Sequence, residues 1–191
     1  MIRLSSAAFA AALVAAPALA EPVNYVLDQG HSQILFQVNH LGYSTTYGMF
    51  SGFDGQIVFD AEAPAASSVT VSFPVATMLT GWEARYQHFM SPDFFDPAKD
   101  QTVTFTSTGI EVTGENTAKI TGDLTLNGVT KSVVLDTVLN QAGEHPMEKK
   151  AWLGFTATTT LVRSEFGLGA FTPYISDEVP LTINVEAGVA G

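Results

Sequence analysis

The side chains able to do chemistry are few and poorly spaced for it. Four histidines and nineteen carboxylates could hold a metal or a haem. Yet no His-x-x-x-His or Glu-x-x-His pair occurs, the spacings that set two ligands on one helix face. His31 and His40 fall on opposite parities of one alternating run, so an unbroken strand points them to opposite faces. The absence of cysteine excludes disulfides, thiolate nucleophiles, iron–sulfur clusters and zinc ribbons. There is no Gly-x-Ser-x-Gly elbow and no phosphate-cradling glycine loop, and Ser164-Glu165 has no histidine close in sequence. Neither a catalytic set nor a metal set is expected, and a metal- or haem-binding protein is the rival reading. The thirteen phenylalanines point elsewhere. Their chemistry is the burial of apolar area, at roughly 25 cal/mol per Å².

The elements that position these rings read mainly as strands. In HSQILFQVNH, residues 31–40, Ile34, Phe36 and Val38 alternate with polar residues, the period of a half-buried strand. Residues 48–60 put Phe53, Gly55, Ile57 and Phe59 on one face, with Gly48 and Gly52 where a strand can bend. Residues 68–75 turn Val69, Val71 and Phe73 inward, and residues 101–107 turn Val103 and Phe105 inward, with a further short strand at 110–113. Asn127-Gly128 is a type I′ turn signature inside 118–139, flanked by Ile120, Gly122 and Leu124 on one arm and Val133 and Leu135 on the other. Residues 143–150 read as a loop, and 152–169 and 179–187 as the last strands. About eight to ten short strands at this spacing indicate an all-β antiparallel barrel or sandwich, and the glycines inside them, which let a sheet coil, favour a barrel of eight strands or close to it.

One stretch breaks the pattern. TGWEARYQHFMSPDFFD, residues 80–96, predicts a short helix with Thr80 as N-cap and Glu83 completing a capping box. Trp82, Tyr86 and Phe89 share a face, and Ser91-Pro92 stops the helix. It reads as a cap on one end of the barrel. Trp82, Phe89 and Phe94 from the cap, with inward Phe36, Val38, Phe53, Ile57, Phe73, Phe105, Leu124, Phe155 and Leu161, are either plain core or the wall of a cavity. Small inward residues, Gly55, Ala118, Gly122, Ala157 and Thr159, favour a cavity, and eight strands can enclose one small ligand. His40 and Arg163 lie on inward parity at strand ends, where a mouth would be. Arg163 suits a phosphate headgroup, or an ion pair with Asp93, Asp96, Asp177 or Glu178. Arg85, His88 and Asp93 are expected to anchor the cap.

Residues 1–20 carry one arginine, an apolar run and Ala18-Leu19-Ala20, the form of a secretory signal peptide cleaved after Ala20. General export to a bacterial periplasm is the expected address. Cleavage leaves a single domain over 21–191, 191 less 20 or 171 residues, with a net charge of 7 − 19 = −12. Such a surface repels nucleic acid. No integral membrane segment is expected, since no later run reaches the roughly 18 apolar residues a span requires. The oligomeric state is open, a dimer included, and a ligand-free interaction module is the remaining alternative.

Asp28, His31-Ser32, Phe36 and His40 at the front, then Gly48-x-Phe50 and RYQHFMSPDFF, continue through Phe105-x-Ser107, GDLTLNGVTK, Arg163-Ser-Glu-Phe-Gly167 and Ser176-Asp-Glu-Val179. In that order, over the whole mature chain, they resemble the YceI-like family of secreted polyisoprenoid-binding proteins. The resemblance implies a lipocalin-like barrel that is not an enzyme. It needs no cofactor and holds one long isoprenoid chain, a polyprenyl phosphate or a quinone tail, for transport, storage or a stress response. Gly81-Trp82-Glu83 departs from the more polar lead into the cap that the family pattern implies.

Overall fold

Asn127 and Gly128 have φ of 53° and 75°, the left-handed pair that a two-residue type I′ turn requires. The strands they join belong to a chain whose described residues, 21–96, 98 and 102–191 of a computed structural model, form mainly antiparallel sheet. The expected leader lies outside them. In order, the elements are β1 (Val23–Leu27), β2 (Gln33–His40), β3 (Ser44–Ser51), β4 (Asp54–Phe59), β5 (Ser68–Pro74), α1 (Glu83–Phe89), β6 (Thr102–Gly114), β7 (Thr117–Leu126), β8 (Val129–Glu144), β9 (Ala151–Val162) and β10 (Glu178–Val189).

The sheet runs β1-β4-β5-β6-β7-β8-β9-β10-β2-β3 and closes where β1 also pairs with β10. β10 meets β1 through Ala187–Val189 and β2 through Leu181–Asn184, so β1 and β2 lie end to end as one stave. β3 and β4 form another, because β2 pairs with β3 and β1 with β4. Ten strands thus make eight staves of an up-and-down barrel. The continuous strand expected over 48–60 is broken at Gly52, whose φ of 72° is left-handed.

β6 carries a second irregularity. Its register with β7 shifts between Ser107 and Gly109, a bulge that inserts one residue and exchanges inward for outward parity. Val103 and Phe105 face inward before it, Ile110 and Val112 after it. The separate strand expected at 110–113 is therefore the second half of β6. The loop expected from 143 begins two residues later, because β8 runs on to Glu144.

The cap also differs in detail. α1 starts at Glu83, so its N-cap is Trp82, which offers no side-chain acceptor. Thr80 sits two residues too early to cap it and donates its hydroxyl to Trp82 O at 3.0 Å. Glu83 accepts from Gln87 Nε2 at 2.7 Å, one turn along, and the capping box does not form. The helix does end before Ser91-Pro92, as expected. At the opposite, terminal end, where β1 begins and β10 ends, Tyr25, Leu27, Leu153 and Ala187 pack as buried core.

Candidate ligand cavity

Each stave alternates, and the inward rows do not meet at the axis. They enclose a cavity of about 1020 Å³ running along the barrel. Phe36, Val38, Phe53, Ile57, Phe73, Phe105, Leu124, Phe155 and Leu161 all lie on its wall, and Trp82, Phe89 and Phe94 line it from the cap. Phe36 packs on Phe50 and Phe89 with ring centroids 5.4 and 6.4 Å apart, Phe50 on Phe73 at 5.3 Å and Phe73 on Phe53 at 4.8 Å. An aromatic ladder thus links the wall to the cap. Trp82 stands apart: it is 64% exposed, at the rim.

The small inward residues split into two groups. A Cβ at Gly122 would lie 2.3 Å from Phe105 Cζ, and one at Gly48 would lie 2.1 Å from Phe36 Cζ. These glycines seat aromatic rings and leave no void. Gly55 is likewise covered, by Leu27 and the backbone of β5. Ala118, Ala157 and Thr159 do face the cavity. The volume comes from them and from the barrel's girth.

Arg163 is 7% exposed, and its guanidinium is directed at the backbone. Nε donates to Ser176 O at 2.9 Å, Nη2 to Ile175 O at 3.0 Å, and Nη1 to Leu168 O. Of the acids considered as its partner, Asp177 instead accepts from Ser164 N at 2.9 Å and Ser164 Oγ at 2.6 Å. The Ser164 hydroxyl holds the Asp177 carboxyl below its ordinary value, while burial presses the Arg163 pKa down. Arg163 therefore clasps the strap 164–176 that crosses the cap end, with Phe94 beneath its guanidinium at 5.9 Å. His40 lines the mouth and is exposed, its backbone bridged to Ile175. His88 contacts Asp93 at 3.3 Å and packs edge-on against Phe94 and Phe171, tying α1 to the strap. Arg85 donates to Thr80 O at 2.9 Å within the cap.

Sequence reasoning missed part of the wall. Ile110 and Val112 were hidden by the bulge. Leu168, Phe171, Tyr174 and Ile175 come from the strap, where no periodicity marks an inward face. The usable signal there is four large apolar or aromatic residues packed into a connection.

On the outside, Asp28, His31 and Glu186 bring ligand atoms within 4.8 Å of one another. His31 Nδ1 lies 2.8 Å from Asp28 Oδ2; this hydrogen bond lowers the Asp28 pKa and raises that of His31. Glu186 accepts from Trp152 Nε1 at 3.0 Å. His31 precedes β2 and lies in a shallow groove with Trp152 and Glu186, whereas His40 lines the mouth of the main cavity, so strand parity does not govern their separation.

An eight-stave up-and-down barrel around one apolar lumen, with a helix across an end, defines the lipocalin-like class of binding barrels. Residues 25–187 match the model of the YceI-like domain, and the chain belongs to that family. It is 40% identical over 185 residues to a UPF0312 protein of Ectopseudomonas mendocina, covering 96% of this chain and 95% of the relative. Among solved structures, BcnA of Burkholderia cenocepacia superposes with a TM-score of 0.75 at 24% identity, over 84% of this chain and 98% of that one. A polyisoprenoid binding domain from Saccharophagus degradans superposes with a TM-score of 0.68 at 13% identity, over 88% and 99%.

Proposed function

We propose that this protein is a periplasmic lipid carrier that holds one long isoprenoid chain, of a polyprenyl phosphate or a quinone, along the barrel axis. The observation that carries the reading is the continuous apolar cavity of about 1020 Å³. That volume is at the top of the roughly 300–1,000 Å³ that holds drug-sized ligands. An isoprenoid tail offers almost nothing but hydrocarbon, and burying it contributes roughly 0.8 kcal/mol per methylene before the cost of ordering the chain. A wall of phenylalanine and aliphatic side chains meets that need. The polyisoprenoid binding attributed to the Saccharophagus degradans domain supports the same ligand class. The headgroup rests at the cap end beside His40, since Arg163 spends its hydrogen bonds on the strap. Export through the leader and a binding role without catalysis complete the proposal.

Protein purified from a bacterial periplasm and extracted with organic solvent is expected to release a stoichiometric isoprenoid lipid on mass spectrometry. Repeated recovery of empty protein that fails to take up added quinone or polyprenyl phosphate would sink the reading. Metal analysis of the same sample tests the metal-binding rival. Trp82→Ala removes a rim residue, so stability is expected to change by less than about 0.5 kcal/mol while lipid retention falls several-fold.

A further inference from the structure

Of the exposed aromatic residues in the described chain, Tyr43, Trp82, Phe171 and Tyr174 belong to the cap end, and Tyr47 stands on β3 opposite Gln37, three residue pairs below the turn that carries Tyr43. Trp82, Phe171 and Tyr174 also line the cavity, so the patch is continuous with its mouth. Leu41, 48% exposed, completes it. Two of these residues sit in backbone that bulky side chains avoid: Leu41 has φ of 58° and Phe171 φ of 64°. Leu41 N donates to Tyr174 O at 2.8 Å and so ties the β2–β3 turn to the strap. The fold thus holds two strained loop tips together and presents apolar side chains at the rim, where ordinary loops carry polar ones.

We infer that the cap end is a membrane-docking surface that seats on neutral phospholipid and passes the ligand chain between bilayer and cavity. The inference rests on the carrier reading. A chain leaving the mouth across water would expose the hydrocarbon that made it bind, whereas a rim set into the headgroup layer keeps that path dry. Tyrosine and tryptophan, with an apolar ring and one polar atom, are the residues that settle at that depth. The formal net charge of 7 − 19 = −12 without the leader disfavours anionic headgroups. Docking is therefore apolar, with an opposite charge dependence to that of a basic amphipathic helix.

Purified protein is floated with vesicles of phosphatidylcholine and phosphatidylethanolamine, then with vesicles also containing phosphatidylglycerol. It is expected to co-float with the first, and at low salt less with the second. Tyr43 and Tyr47 do not line the cavity, so the double variant Tyr43→Ser/Tyr47→Ser is expected to keep its uptake of solanesol delivered from detergent. Its vesicle binding falls about tenfold. Wild-type protein that stays with the soluble fraction while binding solanesol overturns the surface, as does a double variant that floats like wild type. A concentration-dependent dimer abolished by the same two changes, without vesicle binding, overturns it in favour of a second copy. Flotation without solanesol uptake supports the surface and overturns the carrier reading.

Discussion

The two ends of the barrel are made from the same alternating strands and finished in opposite ways. At the terminal end the staves themselves close the fold. Tyr25, Leu27, Leu153 and Ala187 are buried around the meeting of β1, β9 and β10, and the cavity lining runs on to Pro64 and Ser67 and to Val112, Glu115 and Thr117 of the β6–β7 hairpin. At the cap end no strand does the closing: α1, the strap and one buried guanidinium cover the opening, with exposed aromatic rings around them. Side-chain packing against regular sheet is cooperative, whereas loops held by a few polar contacts open locally at lower cost. The end held by loops and a few polar contacts is thus also the end that carries the rim.

The largest expected effect separates the ends by removing the clasp. Arg163→Met leaves the carbonyls of Leu168, Ile175 and Ser176 without their donors, a loss of roughly 3 kcal/mol at about 1 kcal/mol each. Denaturant unfolding measures the total, and hydrogen exchange is expected to place the new opening in residues 164–176. Protection lost evenly over both ends would erase the distinction. A smaller change probes the other end. A Cβ at Gly188 would lie 2.3 Å from Trp152 Cζ3, so Gly188→Ala is expected to destabilise by about 1–3 kcal/mol. Its ligand-release rate stays at the wild-type value, and a faster release would show that lipid leaves by the terminal end.

The smallest effect is a pH dependence at the strap. The Asp177 pKa is lowered from an ordinary 3.8, chiefly by the Ser164 hydroxyl. A folded-state pKa below the unfolded one gives stability that is present above the unfolded value and lost as pH falls through the folded value. Ser164→Ala is therefore expected to lower the melting temperature slightly at neutral pH, with the gap from wild type narrowing below about pH 4. A gap independent of pH would mean that the hydroxyl acts through packing alone.

The regular strands were legible in the sequence at both ends, and the irregular backbone and the clasp were not. Alternation names the inward faces of β2, β5, β7, β8 and β10, and Asn127-Gly128 names its hairpin, because both are local rules. The bulge in β6 defeats alternation by adding a single residue, which hides Ile110 and Val112. Gly55 and Gly122 invite a reading as empty space, and only the three-dimensional neighbours show the β5 backbone and Leu27 against the first and the ring of Phe105 against the second. Arg163 is recognisable as an inward cation, but its partners are carbonyls, which every residue carries and no sequence pattern can single out. The Thr80 and Glu83 spacing fits a capping box, yet the helix obeys the bridge between Met49 and Leu79, which fixes the chain just before it.

The seam that makes β10 the partner of β1 also sets how the chain must fold. The pairs β2–β3, β4–β5, β6–β7, β7–β8 and β8–β9 form across shorter connections, whereas β10 must find both β1 and β2 from the far end of the chain. Leu27 meets Ala187 only after 187 − 27 = 160 residues have been ordered. Closing a loop of that length costs roughly 4–5 kcal/mol of chain entropy, to be recovered in one step. Until β10 arrives, the molecule is a curled sheet with two unpaired edges and an uncovered apolar face, the form most prone to join another copy of itself. Closure is then the slow and vulnerable event of folding, and the last dozen residues of sheet decide whether the product is a barrel or an aggregate.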